Sequence, residues 1–252
     1  MIALTHVPSP DMQACERTFV PHQTIDRLRI ADEHAAYCRL LADCGAAVRT
    51  LDVNRGLADC VFIEDTAIVL DEIAILCPMG APSRRAEPLG IENALRGYRE
   101  VVRIELPAKL EGGDVLRLGR MLLVGQSRRT SAAGIAALDK IASRHGYRVS
   151  SVPVSGSLHL KTACCALPDG RLLANPAWID AAALSDYELI RIPEGEPWGA
   201  NIAIIDDTVL MNSAHVQTAD FVHSLGFAVR TTDLREFAKA EGGITCLSLL
   251  IA

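Results

Sequence analysis

The sequence lacks the features that mark three large classes of protein. It contains no run of lysine and arginine and its formal net charge is −6, so nucleic acid and acidic membrane surfaces are poor partners. No apolar stretch approaches the roughly 18 residues that a membrane-spanning helix needs. The first residues also lack the basic start and apolar centre of a signal peptide. We therefore expect a globular cytoplasmic protein, and 252 residues are enough for a sizeable core.

The eight cysteines lack the CxxC spacing that is typical of zinc ribbons and redox dithiols. In a chain without an export signal, we expect these thiols to be reduced. Most of them should be buried as small apolar residues, including the neighbours Cys164 and Cys165 within an apolar stretch. The presence of a cysteine is therefore weak evidence for catalysis.

What the sequence has instead is one pattern of strand, turn, strand, helix and strand that recurs along the chain. In the clearest copy these five segments are residues 115–118, 119–120, 121–124, 130–145 and 147–154. Gly146 ends the predicted helix, as glycine commonly does. The pattern predicts an α/β fold built from similar units.

The copies follow one another at a nearly constant interval. The marker residues that open them are Glu64, Glu111, His159, Asn201 and Cys246, which are 47, 48, 42 and 45 residues apart. A period in this range is typical of repeats arranged as a ring or an array. The last copy runs off the C-terminus, and residues 2–7, 25–44 and 46–51 supply its missing strand, helix and strand. This favours a closed ring, which also removes exposed sheet edges; the alternative is an ordinary α/β domain with unrelated hairpins.

Equivalent positions of a closed ring converge near its axis, so two acids (Glu64 and Asp65), Glu111, His159, Asn201 and Cys246 would face one another. A thiolate is a strong nucleophile, and a nearby histidine can act as general base and acid. The carboxylates suit a guanidinium, a planar cation that pairs with them through two parallel hydrogen bonds. Holding that cation while a thiolate approaches its central carbon assists the reaction by orientation. Cysteine hydrolases of neutral amides do not need such acids, which favours guanidine chemistry.

Each of these features also has a plain structural interpretation. A histidine between two leucines, such as His159, is typical of a protein core, and Glu64-Asp65 can be a simple loop pair. Gly112-Gly113 can be a turn, while Arg84-Arg85 and Arg128-Arg129 are typical of a solvated surface. Only their joint occurrence in a fixed order favours a functional site.

Six short segments stand in such an order: VFIEDT (61–66), GAPSRR (80–85), EGGDV (111–115), GQSRRT (125–130), LHLK (158–161) and GGITC (242–246). Together they resemble the dimethylarginine dimethylaminohydrolases of the guanidine-modifying, or pentein, superfamily, from about Val7 to the last residue. The resemblance implies a five-bladed α/β propeller with pseudo-symmetric repeats, in agreement with the pattern above. We expect residues 1–252 to form this single domain.

The resemblance also implies roles for individual residues. Cys246 matches the nucleophile, His159 the general acid and base, and Glu111 the carboxylate beside the guanidinium. Among the substrate-binding positions, Asp65 matches a second acid that binds the guanidinium, and Asp59 and Glu64 match supporting polar residues. Phe62 matches an aromatic wall of the pocket. Arg84 and Arg129 match the arginines that bind the α-carboxylate of the substrate. One departure from the family is Ser131, where the family often has asparagine. The N-terminal lid region, near residues 9–17, does not align with the family, and this leaves the exact substrate specificity open.

The implied reaction is hydrolysis of an Nω-methylated arginine to citrulline and dimethylamine or methylamine. It proceeds through an S-alkylthiouronium on Cys246 and requires neither a cofactor nor a metal. Two alternatives stay open: a hydrolase or deiminase of unmethylated arginine or another small guanidine, and a non-catalytic propeller that binds arginine-like ligands. The oligomeric state is open as well, a homodimer included.

Overall fold

The computed structural model describes residues 1–252 and contains five three-stranded sheets. In each sheet two antiparallel strands form a pair, and a third strand joins it in parallel. In chain order the strands are β1 (Ile2–His6), β2 (Ala47–Leu51), β3 (Ala67–Val69), β4 (Ile73–Leu76), β5 (Glu100–Arg103), β6 (Val115–Leu118), β7 (Met121–Gln126), β8 (Arg148–Pro153), β9 (Cys164–Ala166), β10 (Leu172–Ala174), β11 (Leu189–Arg191), β12 (Ala203–Ile205), β13 (Thr208–Asn212), β14 (Ala228–Thr232) and β15 (Ser248–Ile251). The three strands of the predicted unit are therefore present five times, and its crossover helix is present four times.

Helices connect the parallel strands, because a parallel pair needs a crossover. The helices are α1 (Arg27–Asp43), α2 (Glu87–Arg96), α3 (Ala132–Ala142), α4 (Leu160–Ala163), α5 (Val216–Ser224) and α6 (Arg235–Ala238). The crossover from β10 to β11 has only a 3-10 turn, Ala181–Leu184. None of the helices combines the length and apolar character that crossing a membrane would demand.

The two ends of the chain meet in one sheet. Strand β1 is its middle strand and pairs antiparallel with β15, Ile2 opposite Ile251, and parallel with β2, Ile2 opposite Ala47. The prediction that the N-terminal segment completes the last repeat is confirmed. This pairing closes the ring and leaves no repeat incomplete.

Local signals set where the helices begin. The side chain of Asp26 accepts the backbone N–H groups of Leu28 and Arg29 at the start of α1. Ser131 accepts the N–H of Gly134, so α3 begins at 132 rather than at the predicted 130. Serine and asparagine are about equally good at this capping position, which explains how Ser131 can replace the asparagine of the family.

The apolar core is divided into five buried clusters, each of which joins neighbouring repeats. In the largest cluster, Tyr37 and Leu41 of α1 pack with Leu210 of β13 and with Phe237 of α6. Burying a side chain such as Phe237 contributes about 1.5–3 kcal/mol. The packing between repeats therefore stabilises the ring and fixes the positions of its inner ends.

Candidate active site

Short helical turns at the inner end of the repeats carry the predicted residues. The turns are Ile63–Thr66 (with Glu64 and Asp65), Gly112–Asp114 (preceded by Glu111), α4 (preceded by His159) and Thr245–Leu247 (with Cys246). The 63–66 turn contacts both the 112–114 turn and the 245–247 turn. The acids of the first repeat therefore lie between Glu111 and the cysteine segment.

Glu111 and His159 form a buried pair. The Oε2 atom of Glu111 lies 2.7 Å from Nε2 of His159, and the two residues are 0% and 3% exposed. The other carboxylate oxygen, Oε1, accepts the N–H groups of Gly80 at 2.9 Å and Ala81 at 3.3 Å. Arg129 donates to the same oxygen at 3.3 Å. Glu111 is thus held from three sides, and it orients the imidazole.

Asp65 lies on the other edge of the same imidazole. Its Oδ1 is 3.6 Å from Nδ1 of His159 and accepts the N–H of Gly113 at 3.1 Å. A Cβ at residue 113 would come within 2.6 Å of Nδ1 and 2.5 Å of the Asp65 oxygen. Only glycine therefore allows this approach, which gives the Gly-Gly pair of the motif a physical reason.

The charges around the imidazole decide its protonation. Burial by itself lowers the pKa of His159, but the charge of Asp65 and the hydrogen bond to Glu111 outweigh it, so the pKa is raised above its usual range. Burial likewise raises the pKa of Glu111, but the contact with His159 outweighs it and the pKa is lowered. The pair therefore rests as an imidazolium and a carboxylate at neutral pH, ready to donate a proton.

Arg84 lies behind Asp65 in a buried network. It donates to Oδ2 of Asp65 at 2.7 Å, to Oε2 of Glu87 at 2.8 Å and to the carbonyl of Phe62 at 3.0 Å. The residue is only 2% exposed, so its donors are largely used inside the protein. Arg129 is also buried and points to Glu111. Both arginines hold the acids, and their predicted contact with the α-carboxylate of a substrate stays a prediction.

A second, largely buried ion pair crosses the ring. Lys161 donates to Oε1 of Glu64 at 2.6 Å, while Oε2 of Glu64 is buried without a partner. Asn201 donates to the carbonyl of Lys161 at 2.8 Å and to Oγ1 of Thr245 at 3.0 Å. The amide of the fourth repeat therefore ties the third repeat to the segment that carries Cys246.

Cys246 is buried as a thiol beside these acids. It is 8% exposed, and its sulfur accepts the N–H of Gly243 at 3.4 Å. Burial, followed by the charges of Glu64 and Asp65, raises the pKa of the thiol to about 12. The resting cysteine is therefore neutral, and it needs a nearby positive charge to become a thiolate.

Asp59 and Phe62 complete the predicted set. Both carboxylate oxygens of Asp59 accept the N–H of Glu16 at 3.2 Å, and the residue is buried. The ring of Phe62 packs edge-to-face on Phe237, with centroids 6.4 Å apart, and lies against Gly242. Asp59 therefore contacts the N-terminal segment, and Phe62 contacts the segment before the cysteine.

Two functional partners were missed in the sequence. Glu87 binds Arg84, and Lys161 binds Glu64. Glu87 stands three residues after Arg84, a spacing that brings side chains together on a helical turn, so this pair had a local signal. Lys161 lies in the quoted LHLK segment, but its acid is 97 residues away, and nothing in the sequence links the two.

Three of the buried residues offer a set of potential metal ligands. Three possible ligand atoms, one each from Asp65, Glu111 and His159, lie within 4.8 Å of one another. A histidine must be neutral to bind a metal, and the raised pKa of His159 makes a proton a strong competitor. The donor set therefore fits a proton-transfer site better than a metal centre.

Comparison with known proteins decides the family. The sequence model of a family described as eukaryotic N,N-dimethylarginine dimethylhydrolase matches residues 12–164. The chain is also 33% identical to the N(G),N(G)-dimethylarginine dimethylaminohydrolase of Pseudomonas aeruginosa. The alignment spans 226 residues, which is 89% of each protein. The chain belongs to the dimethylarginine dimethylaminohydrolase family. The resemblance indicated by the six segments is confirmed.

Other members of the dimethylarginine dimethylaminohydrolase family support the assignment. The enzyme of that name from Streptomyces coelicolor is 35% identical over 249 residues, 98% of this chain and 95% of the relative. A solved dimethylarginine dimethylaminohydrolase, a histidine-to-glycine variant in an adduct with S-methyl-L-thiocitrulline, superimposes with a TM-score of 0.93 at 30% identity and 98% coverage of both chains. The five-bladed pentein propeller is confirmed, and the alternative of unrelated hairpins is wrong.

Proposed function

We propose that this protein hydrolyses a C–N bond of an Nω-methylated arginine, giving citrulline and dimethylamine or methylamine. The observation that carries the proposal is the buried pair of Glu111 and His159, flanked by Asp65, whose own turn also contacts the turn that bears Cys246. The proposal is supported by relatives named for this activity. It is supported further by the thiocitrulline adduct of a related structure.

The acids would select a cation. Asp65 and Glu111 present carboxylate oxygens on two sides of His159, and each keeps its orientation through backbone N–H donors. A guanidinium can donate to both acids, because its N–H groups form a rigid, planar fork. A neutral urea or amide would gain much less from this pair. In our scheme the charge of the substrate is therefore part of its recognition.

The same charge would activate the nucleophile. The negative charges of Glu64 and Asp65 help to raise the pKa of Cys246. A guanidinium bound between the acids would offset that effect and lower the pKa of the thiol, since an opposite charge nearby favours the ionised form. The thiolate would then form mainly when a cationic substrate is present.

The chemical steps follow from these states. The Cys246 thiol releases its proton to solvent as the cation binds, the resulting thiolate attacks the guanidinium carbon, and protonated His159 donates its own proton to the departing amine as the C–N bond breaks. This leaves a positively charged S-alkylthiouronium and a neutral imidazole. His159 then accepts a proton from water as the hydroxide adds to the same carbon. When the C–S bond breaks, the sulfur leaves with the electron pair and takes up the proton of the new hydroxyl group, which gives neutral citrulline and the resting thiol.

The decisive experiment is to identify the amine that is released from asymmetric dimethylarginine. We expect dimethylamine and citrulline in equal amounts. Release of ammonia from arginine, with no turnover of methylated arginines, would instead indicate a related hydrolase of unmethylated guanidines. Labelling of Cys246 by an electrophilic amidine with no turnover of any guanidine would indicate a non-catalytic binding protein.

We also propose that residues 1–252 act as one domain and that the protein is cytoplasmic. The first proposal is supported by the sheet that joins both chain ends through β15, β1 and β2. The second is supported by eight cysteines that are all free thiols. Light scattering of the purified protein would distinguish a monomer from the homodimer that the sequence leaves open.

A further inference from the structure

We propose that Glu241 is a positioning residue that latches an N-terminal lid over the site and couples it to the nucleophile segment. The lid defined by the structure is residues 16–24, which overlaps only the end of the 9–17 region expected from the sequence. These residues form no helix or strand and lie between two buried anchors, Cys15 and Ile25. The latch is inferred from hydrogen bonds and backbone geometry and does not depend on the proposed function. Its expected effect on substrate binding rests on the proposed function.

The lid reaches both sides of the ring axis. On one side, the N–H of Glu16 donates to Asp59 and its carboxylate accepts from Ser83. On the other, Nε of Arg17 donates to the carbonyl of Lys239 at 3.0 Å. These contacts connect the segment before the first acids with the segment before Cys246. The lid therefore spans the face of the propeller on which the candidate site lies.

Three successive backbone N–H groups of the lid converge on one carboxylate oxygen. Thr18 and Val20 donate to Oε1 of Glu241 at 2.8 and 2.7 Å, and Phe19 between them donates to the same atom. Consecutive N–H groups around an anion form a nest, an arrangement that favours negative charge. No other acidic side chain makes such contacts with this part of the lid.

The backbone of Glu241 indicates that this side chain is needed. Its φ is +61°, in the left-handed region that non-glycine residues rarely adopt. Two glycines, Gly242 and Gly243, follow directly, so a glycine at 241 would have been the easier choice for the chain. We attribute the presence of glutamate there to the hydrogen bonds that it accepts from the lid.

The latch and the nucleophile share one short segment. Glu241 holds the lid, and two residues later the N–H of Gly243 donates to the sulfur of Cys246. Release of the lid would therefore remove cover from the site and loosen the backbone that positions the thiol. In the closed state Cys246 is 8% exposed, which gives lid opening a direct readout in the accessibility of this thiol.

The test uses Glu241→Ala and Glu241→Gln. Alanine, like glutamate, is not a glycine and so keeps the backbone strained at this position, but it removes the carboxylate together with one methylene. Glutamine keeps the size and one acceptor oxygen. Glu196→Ala is the matched control, because Glu196 also accepts backbone N–H groups, from Gln217 and Thr218, but makes no hydrogen bond to the lid. Iodoacetamide labelling is followed peptide by peptide by mass spectrometry, so that Cys246 is separated from the other thiols.

We expect Glu241→Ala to speed labelling of Cys246 at least about tenfold. The loss of hydrogen bonds to a charged group should shift the equilibrium between the closed and the open lid at least about tenfold towards the open form. The labelling rate of Glu241→Gln should lie between those of Glu241→Ala and the wild type. The glutamine variant also provides the test if the alanine variant does not fold. KM for dimethylarginine should rise more than kcat falls. Labelling of both variants within twofold of wild type would overturn the latch. Faster labelling with no turnover by any variant or by the wild type would leave the latch standing and refute the proposed function.

Discussion

Cys246 and Cys165 are two buried thiols that differ in surroundings rather than in resting acidity. Burial raises the pKa of each to about 12. Cys165 lies in β9 and its sulfur donates to the carbonyl of Lys161 at 3.2 Å, so it is bound into a strand. Cys246 lies on a short turn, accepts an N–H and faces Glu64 and Asp65. What distinguishes the candidate nucleophile Cys246 is therefore the neighbouring acids, which can bind a cation next to its sulfur, and not a low resting pKa.

Replacing each thiol by a hydroxyl is the strongest test of this comparison. We expect Cys246→Ser to retain less than about 1% of wild-type turnover, because a serine hydroxyl is a weak nucleophile without its own activation. Cys165→Ser should keep most of the activity, because its sulfur only packs and donates a weak bond. Citrulline formation is measured for both, with a thermal melt to verify folding. Substantial turnover by folded Cys246→Ser would remove Cys246 from its role.

Removing the proton donor should have the next largest effect. We expect His159→Gln to lower kcat by roughly 10²- to 10⁴-fold, the usual contribution of general acid–base catalysis. Alkylation of Cys246 by an electrophilic amidine should still occur, because that step needs no proton for a leaving amine. His34→Gln is the control, a buried histidine of α1 whose pKa is lowered by burial to about 4. A near-normal rate for His159→Gln would mean that another group supplies the proton.

Neutralising one acid should have a smaller effect. Glu111→Gln keeps size and hydrogen bonding but removes the charge, so we expect kcat/KM to fall at least about tenfold, since a bond to a charged group is worth roughly 1.5–3 kcal/mol. Glu92→Gln is the control, because Glu92 pairs only with the partly exposed Arg96 and Arg103. Steady-state kinetics on methylated arginine distinguishes the two. Unchanged kcat and KM for folded Glu111→Gln would place this acid outside the site.

The pH dependence of thiol labelling sharpens the comparison further. A group with a raised pKa stays protonated until the pH approaches that value, so between pH 7 and 9 a neutral alkylating agent should label Cys246 about tenfold faster per pH unit. A cationic amidine should label it with a weaker pH dependence, since its charge lowers the pKa of the thiol on binding. Identical profiles for the two reagents would argue against activation by a cation.

The fold was largely predictable because its signals are local. Turn residues and strand-like stretches recur in every unit, and helix-ending glycines such as Gly146 recur in the four units whose crossover is a helix. The leftover N-terminal segment was correctly placed beside β15. The start of α3 was two residues off because the cap at Ser131 competes with helix formation before it. Family motifs added roles for Cys246 and His159, which spacing alone would not have supplied.

The sequence by itself determined the repeat, its closure through the two chain ends, and the set of residues that the inner turns bring to the axis. These follow from patterns that span only a few residues each. The tertiary structure alone decided which charges pair, with Arg84 and Arg129 turned to Asp65 and Glu111, and Lys161 to Glu64. It also decided the thiol pKa of Cys246. The physical reason is that burial and charge depend on residues that are not neighbours in the sequence: the partners are 19 residues apart for Arg84 and Asp65, 18 for Arg129 and Glu111, and 97 for Lys161 and Glu64.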